Sequence, residues 1–312
     1  MTLPVPAYLN ALKTGTLEQR ADQGLQALSH CTLCPRHCSV NRMAGETGIC
    51  NTGRGAVVAA YNAHFGEETP LVGHRGSGTI FFTHCNLRCN FCQNYEISQL
   101  GEGRELDDDQ LAAIMLELQQ AGCHNINLVT PSHVVPQILS AVHLAAQQGL
   151  KVPLVYNSSG YDCVETLKLL DGIVDIYMPD FKFWDAKVAL DTCNAPDYPE
   201  VAKLALVEMH HQVGDLHIDP TSGLAVKGVL VRHLVLPGGL AGTTNIMDFL
   251  ANSLSRETYV NVMSQYRPCG PAREMPALAV ALSPVEYDQA VKETQAAGIT
   301  RLDKPRRVFE LW

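Results

Sequence analysis

The stretch Thr79-Ile-Phe-Phe-Thr-His-Cys-Asn-Leu-Arg-Cys-Asn-Phe-Cys-Gln-Asn-Tyr95 constrains this chain more than any other. An apolar, β-prone run from Thr79 to Thr83 ends in a polar loop carrying Cys85, Cys89 and Cys92. Three thiolates from one loop, spaced Cys-x3-Cys-x2-Cys, suit a cubane iron–sulfur cluster, which cysteine thiolates hold. Three ligands for four irons leave one iron open, and an open coordination position signals chemistry more than scaffolding. A buried helix face would use the same i, i+4, i+7 stripe. Asn86, Arg88, Asn90, Gln93 and Asn94 argue against that, because they crowd the loop with polar groups. A disulfide would leave one of the three thiols unpaired.

A second cysteine group lies upstream: Cys31, Cys34, Cys38 and Cys50, interleaved with Pro35, Gly45 and Gly48. Four thiolates with turn residues between them suit a closed tetrahedral zinc site or an auxiliary iron–sulfur cluster, and the spacing leaves the two open. Seven of the eleven cysteines fall between Cys31 and Cys92, and the start Met1-Thr-Leu-Pro lacks a basic-then-apolar secretory pattern. Metal ligation in a reducing compartment is therefore favoured over disulfides, and the expected location is cytoplasmic. Net charge is −9 with no Lys/Arg block, so nucleic acid is disfavoured as a partner. No apolar run approaches the ~20 residues of a membrane span.

After the cluster loop, helical and strand patterns alternate. Helices are expected over residues 107–121, 134–148, 164–170, 199–213, 247–254 and 286–297, and strands over 125–130, 151–156, 173–178, 228–236 and 258–263. Ahead of the loop, residues 9–29 read as a helix and Val57 to Tyr61 as a strand. Glu67 and Glu68 are weak candidates to line a site. Repeated β–α units imply a parallel sheet with right-handed crossovers and a reactive site at the C-terminal strand ends.

Cys-x3-Cys-x-aromatic-Cys directly after a first strand resembles the signature of radical S-adenosylmethionine (SAM) enzymes. The resemblance covers roughly residues 76–270. It implies an α/β partial (β/α)6 barrel over 76–270, preceded by a cysteine-rich metal-binding extension over 1–75 and followed by a helix and tail over 271–312. It also implies a [4Fe-4S] cluster on Cys85, Cys89 and Cys92, with SAM on the open iron. Phe91, inside the motif, and Tyr95, three residues after it, are cofactor-binding candidates. The remaining cofactor candidates sit at later strand ends: Thr130 and Ser132, Asn157 and Ser159, Asp180 and Lys182, Arg232 and His233. Lys182 is also a catalytic candidate. Thr130-Pro-Ser-His133 departs from the Gly-Gly-Glu that many of these enzymes carry there. Arg232 and His233 are neighbours on a strand, so only one of them faces the site.

The pattern is similar to a group related to pyruvate formate-lyase-activating enzymes, which implies a low-potential electron donor such as flavodoxin or ferredoxin. It also raises a glycyl radical enzyme as a partner. Radical modification of a small metabolite or of another protein residue is the alternative. A non-catalytic zinc protein ranks last. Asn261, Gln265 and Arg267 are candidates for a substrate pocket.

Overall fold

The structure, a computed structural model, describes residues 5–304. The chain opens with helices α1 (Ala7–Lys13) and α2 (Thr16–Ala27), parted at Gly15, whose φ of 76° no helix accepts. Then come strand β1 (Ala56–His64), the single turn α3 (Thr69–Val72), strand β2 (Ser77–Phe82) and the single turn α4 (Tyr95–Ser98). Strand β3 (Arg104–Leu106) and helix α5 (Asp108–Gln120) follow. The start of α5 is fixed by a capping box between Asp107 and Gln110.

From there strands and helices alternate: β4 (Ile126–Val129), α6 (Val135–Gln147), β5 (Leu154–Ser158), α7 (Val164–Leu169) and β6 (Ile176–Pro179). Next are α8 (Ala186–Cys193), α9 (Tyr198–Val213), the short β7 (His217–Ile218), β8 (Ala225–Leu234), α10 (Thr243–Phe249) and β9 (Tyr259–Met263). Helix α11 (Pro284–Ala296) closes the described chain, with its own capping box from Ser283 and Glu286.

Strands β2, β4, β5, β6, β8 and β9 pair in that order, all parallel. The sheet and its helices depart from the simple alternation expected, and the short β7 pairs antiparallel with β8. Strand β1 pairs antiparallel with β2, and β3 antiparallel with β1. The link from β1 to β2 holds only a single helical turn, too short for the crossover a parallel pair needs. Helix α8 was not foreseen. Because β1 pairs with β2, the sheet draws on both sides of residue 76.

The sheet buries both faces, and alternate residues go to opposite sides. Tyr156, Tyr177, Val229, Val231 and Val260 join the large core under the helices. Val155, Ile176, Met178, Leu230 and Tyr259 form a second cluster on the inner face. Leu71 of α3, fully buried, fills the middle of that inner cluster. The plug is anchored by backbone capture: the Asn125 amide donates to the Leu71 carbonyl, and Ser77 donates to the Asn125 side chain. This segment ahead of β2 also reaches the last strand, where the Asn261 amide donates to Glu68 at 2.8 Å.

The N-terminal cysteine segment is clamped onto this frame. The Arg36 guanidinium donates to the carbonyls of Asn86, Leu87, Cys193 and Asn194 and lies over the Tyr161 ring. Arg42, 1% exposed, donates to the carbonyls of Gly53 and His133.

Removing the plug should cost the whole sheet. Leu71→Ala is expected to lower unfolding stability by roughly 2–5 kcal/mol, the range for truncating a fully buried leucine. Denaturant titration checks this; a loss below about 1 kcal/mol would show that the inner cluster does not depend on the plug.

Candidate active site

The loop leaving β2 is held in conformations that ordinary residues rarely adopt. His84 and Arg88 have φ of 70° and 55°, which costs free energy unless surrounding bonds enforce it. The His84 amide donates to the Ile97 carbonyl, while Arg88 donates to the Ile49 carbonyl and the Gln99 side chain. The result turns Cys85, Cys89 and Cys92 toward one cavity of about 180 Å³ at the C-terminal ends of the parallel strands. Among the described residues, no three metal-ligating side chains converge tightly enough to form a ready single-ion site. A cubane needs its ligands spread around a far wider body than one ion, and three thiols around a shared cavity fit that requirement. Burial pushes the Cys85 thiol up to about 12. The adjacent Cys193 thiol, then burial, push Cys89 well up. Cluster binding must therefore release protons here. Cys193 ends α8 beside Cys89, a neighbour that its isolated place in the sequence gave no means of finding.

The inner-face alternation decides which strand-end residues meet. Arg232 follows Leu230 on the inner side, and His233 follows Val231 on the helix side. His233 is fully buried between the Phe181 carbonyl and the Thr243 hydroxyl, so it braces the strand from outside the cavity. Arg232 lines the cavity with Asp180, Lys182, Asn157, Ser159 and Thr130. Phe91 packs edge-on against Phe183 and Tyr266, behind the loop. Tyr95 opens α4 against Gly270, and Ser132 is buried; neither reaches the cavity lining. Asn94, Ser98 and Ser158 line it without having been picked out. The signal for Ser158 was its place inside Asn157-Ser-Ser-Gly160.

Asp180 is the electrostatic hub. Its Oδ1 accepts from Arg232 Nε at 2.7 Å and its Oδ2 from Lys182 Nζ. Burial alone would raise the Asp180 carboxyl, but the two cations outweigh it and hold the group below the usual carboxylate range. Burial would likewise lower Lys182; Asp180 and the Cys89 side keep it protonated. The fully buried Tyr198 supports the same corner, its hydroxyl bonded to the Ser159 and Asp180 carbonyls and the Lys182 amide. A side chain at Gly160, where φ is 75°, would overlap the Asp180 carbonyl, so the ends of β5 and β6 close up only because this residue is glycine.

The cavity retains unfilled hydrogen-bonding capacity: Ser159 Oγ is buried without a partner among the described residues. Together with Asn157 and Thr130, which is turned left-handed with φ of 61°, it presents polar groups to a polar ligand. The donor set thus fits a thiolate-held cluster and a zwitterionic ligand beside it.

The upstream cysteines also share a space. Cys31, Cys34, Cys38 and Cys50 line a cavity of about 10 Å³. The Ile49 amide donates to Cys38 Sγ at 3.4 Å, and burial pushes Cys34 up to about 12.

Glu68 lies near enough to Arg232 to feel its charge. It is 4% exposed, and burial pushes its carboxyl up to about 7 despite Arg232. A carboxyl raised from its ordinary 4.5 binds more protons folded than unfolded, so its contribution to stability falls as pH rises through that interval. Glu68→Gln, which cannot ionise, should match wild type near pH 4 and exceed it by on the order of 3 kcal/mol at pH 8. Thermal or urea unfolding at both pH values measures this, and a gap independent of pH would refute it.

Residues 79–214 match the radical SAM superfamily. An uncharacterized protein of Methanocaldococcus jannaschii is 30% identical over 291 residues, covering 91% of this chain and 80% of its own length. A second uncharacterized protein of that organism is 23% identical over 286 residues, covering 84% and 78%. A solved radical SAM methyltransferase from Sphaerobacter thermophilus is 14% identical, with a TM-score of 0.49, 73% of this chain and 67% of that one covered. With three cysteines turned to one cavity at the ends of a parallel sheet, residues 79–214 matching the family, and a relative at 30% identity over 91% of this chain, the chain belongs to the radical SAM superfamily.

Proposed function

We propose that this protein is a radical SAM enzyme that abstracts hydrogen from a bound substrate inside a partial (β/α)6 barrel. The observation that carries the reading is the shared cavity. Three cysteines occupy one wall, and Asn157, Ser159, Asp180, Lys182 and Arg232 occupy the other. When bound on Cys85, Cys89 and Cys92, a [4Fe-4S] cluster supplies the electron that splits SAM and yields a hydrogen-abstracting 5'-deoxyadenosyl radical.

The chain's own residues do the rest. Lys182 and Arg232 stay charged and bracket Asp180, so together they present both signs to the amino and carboxylate ends of SAM. The Ser159 hydroxyl, unpartnered among the described residues, can bond the ligand. Phe81, Phe82, Ile97 and Val129 line the same cavity and exclude water from a reactive radical. The electron is expected from a low-potential carrier such as flavodoxin or ferredoxin.

Two finer readings divide on the substrate. An activase must admit a backbone loop around a glycine, which is neutral. A neighbouring cleft at the end of β9, of about 330 Å³, is lined by carboxylates and amides and suits a small charged group instead. That favours modification of a small molecule or a single side chain over glycyl radical formation.

For the upstream cysteines we propose one tetrahedral zinc ion, because all four thiols line one small cavity and four thiolates complete a closed structural shell, the side chains drawing together as the metal binds. Metal analysis of reconstituted protein should give about four irons and about one zinc per chain. Cys34→Ala should lose the zinc and keep the iron. A second set of irons in place of zinc would refute the assignment.

The radical reading is tested by 5'-deoxyadenosine production from SAM under strong reductant. Iron-loaded wild type should form it, and Cys92→Ala should reduce it to background, a loss of at least 100-fold. Failure of iron-loaded wild type across low-potential donors would sink the proposal.

A further inference from the structure

We propose that the cleft at the end of β9 is the substrate site, and that it takes an ammonium or guanidinium group through Glu68 and Asp303. This rests on the radical reading above and names the substrate class for it.

The cleft is formed where the segment ahead of β2 meets β9. Glu67, Glu68 and Asp303 supply three carboxylates, while Asn261, Gln265 and Tyr287 add polar atoms. No Lys, Arg or His lines it among the described residues. His64 is bonded to Glu67 at 3.0 Å and Arg232 to Asp180 at 2.7 Å, and neither lines the cleft. Among the described residues, Coulombic balance in the cleft therefore favours a cation and disfavours a phosphate or carboxylate.

Glu68 provides an independent observation. Its Oε1 accepts from Asn261, but Oε2 is buried with no partner among the described residues. A buried carboxyl oxygen left unbonded costs free energy, and a cationic N–H donor would recover it while drawing the Glu68 carboxyl to its ionised form. The sheet also gives the cleft its relation to the radical site. Asn261 lies in register with Arg232, and Arg232 bridges to Asp180, so these three residues form one row from β9 through β8 to the residue just past β6. Arg232 lines the cluster cavity and Asn261 lines the cleft. A cation anchored on Glu68 thus sits one strand from the cofactor wall, with the rest of its molecule able to extend toward it.

Gln265 and Ser264, at the rim, leave room for a polar tail. The space of about 330 Å³ falls at the lower end of ligand pockets, which suits a group of amino-acid size.

The test uses full-length, cluster-loaded protein with SAM present, titrated with 1,5-diaminopentane, 1,5-pentanediol and pentanoate by calorimetry or saturation-transfer NMR. The diamine should bind at least tenfold more tightly than the diol, and pentanoate should not compete. Glu68→Gln should weaken the diamine at least tenfold, judged only after circular dichroism confirms the fold. Asp303→Asn keeps the acceptor used by Tyr259 and Thr69 and should weaken it severalfold, which provides a second reading should Glu68→Gln misfold. Equal binding of diamine and diol, or unchanged diamine affinity in the folded variants, would overturn the assignment. Production of 5'-deoxyadenosine by wild type without diamine separates the two ideas. Product without diamine binding sinks the cation site alone; selective diamine binding without product supports the site and sinks the radical reading.

Discussion

One buried carboxylate shared by two cations governs the geometry of this molecule's active corner. Asp180, 6% exposed, binds Arg232 from β8 and Lys182 from the turn after β6. Removing a single member of such a buried set leaves an uncompensated charge, at a cost of about 3–5 kcal/mol. The arrangement therefore ties two strand ends together and keeps their charged heads presented at a single cavity. Tyr198 and Gly160 close the corner from behind, the first by hydrogen bonding and the second by allowing the backbones to meet.

The wall opposite depends on a different device. The cluster loop carries left-handed backbone at His84 and Arg88 and is short of regular structure of its own. Arg36 supplies the missing restraint by satisfying four carbonyls around the loop and the end of α8. The cysteine-rich segment that carries Arg36 is itself positioned by Arg42 on the His133 carbonyl, and His133 in turn meets the Thr83 carbonyl at the end of β2. The cysteine segment thus reaches the radical site through hydrogen bonds to backbone. An ion bound by its four thiols would stiffen the support of the cluster loop without touching a substrate.

A consequence of sheet register runs through both walls. Neighbours on a strand face opposite sides, so Arg232 enters the cavity and His233 braces the strand against Phe181 and Thr243. The same rule places Asn157 inward with Val155, and Asn261 inward with Tyr259. Leu71, arriving from outside the parallel strands, completes the inner packing that no strand residue fills.

The three-cysteine loop, the β–α alternation after it and the polar strand ends were legible in the sequence because each is local. Spacing within one loop, apolar periodicity and caps such as Asp107 act over a few residues. Strand β1 was legible as a strand but not as an antiparallel partner, since pairing direction depends on how the intervening turn packs. The choice between Arg232 and His233, the clamp by Arg36, Cys193 beside Cys89, and the meeting of Glu68 with Asn261 were decided only by tertiary structure. That last contact joins residues 193 positions apart, and no local pattern records which distant carboxylate a folded sheet will bury beside which amide. The sequence by itself determined that this chain can hold a cluster at a strand end; packing decided what surrounds it.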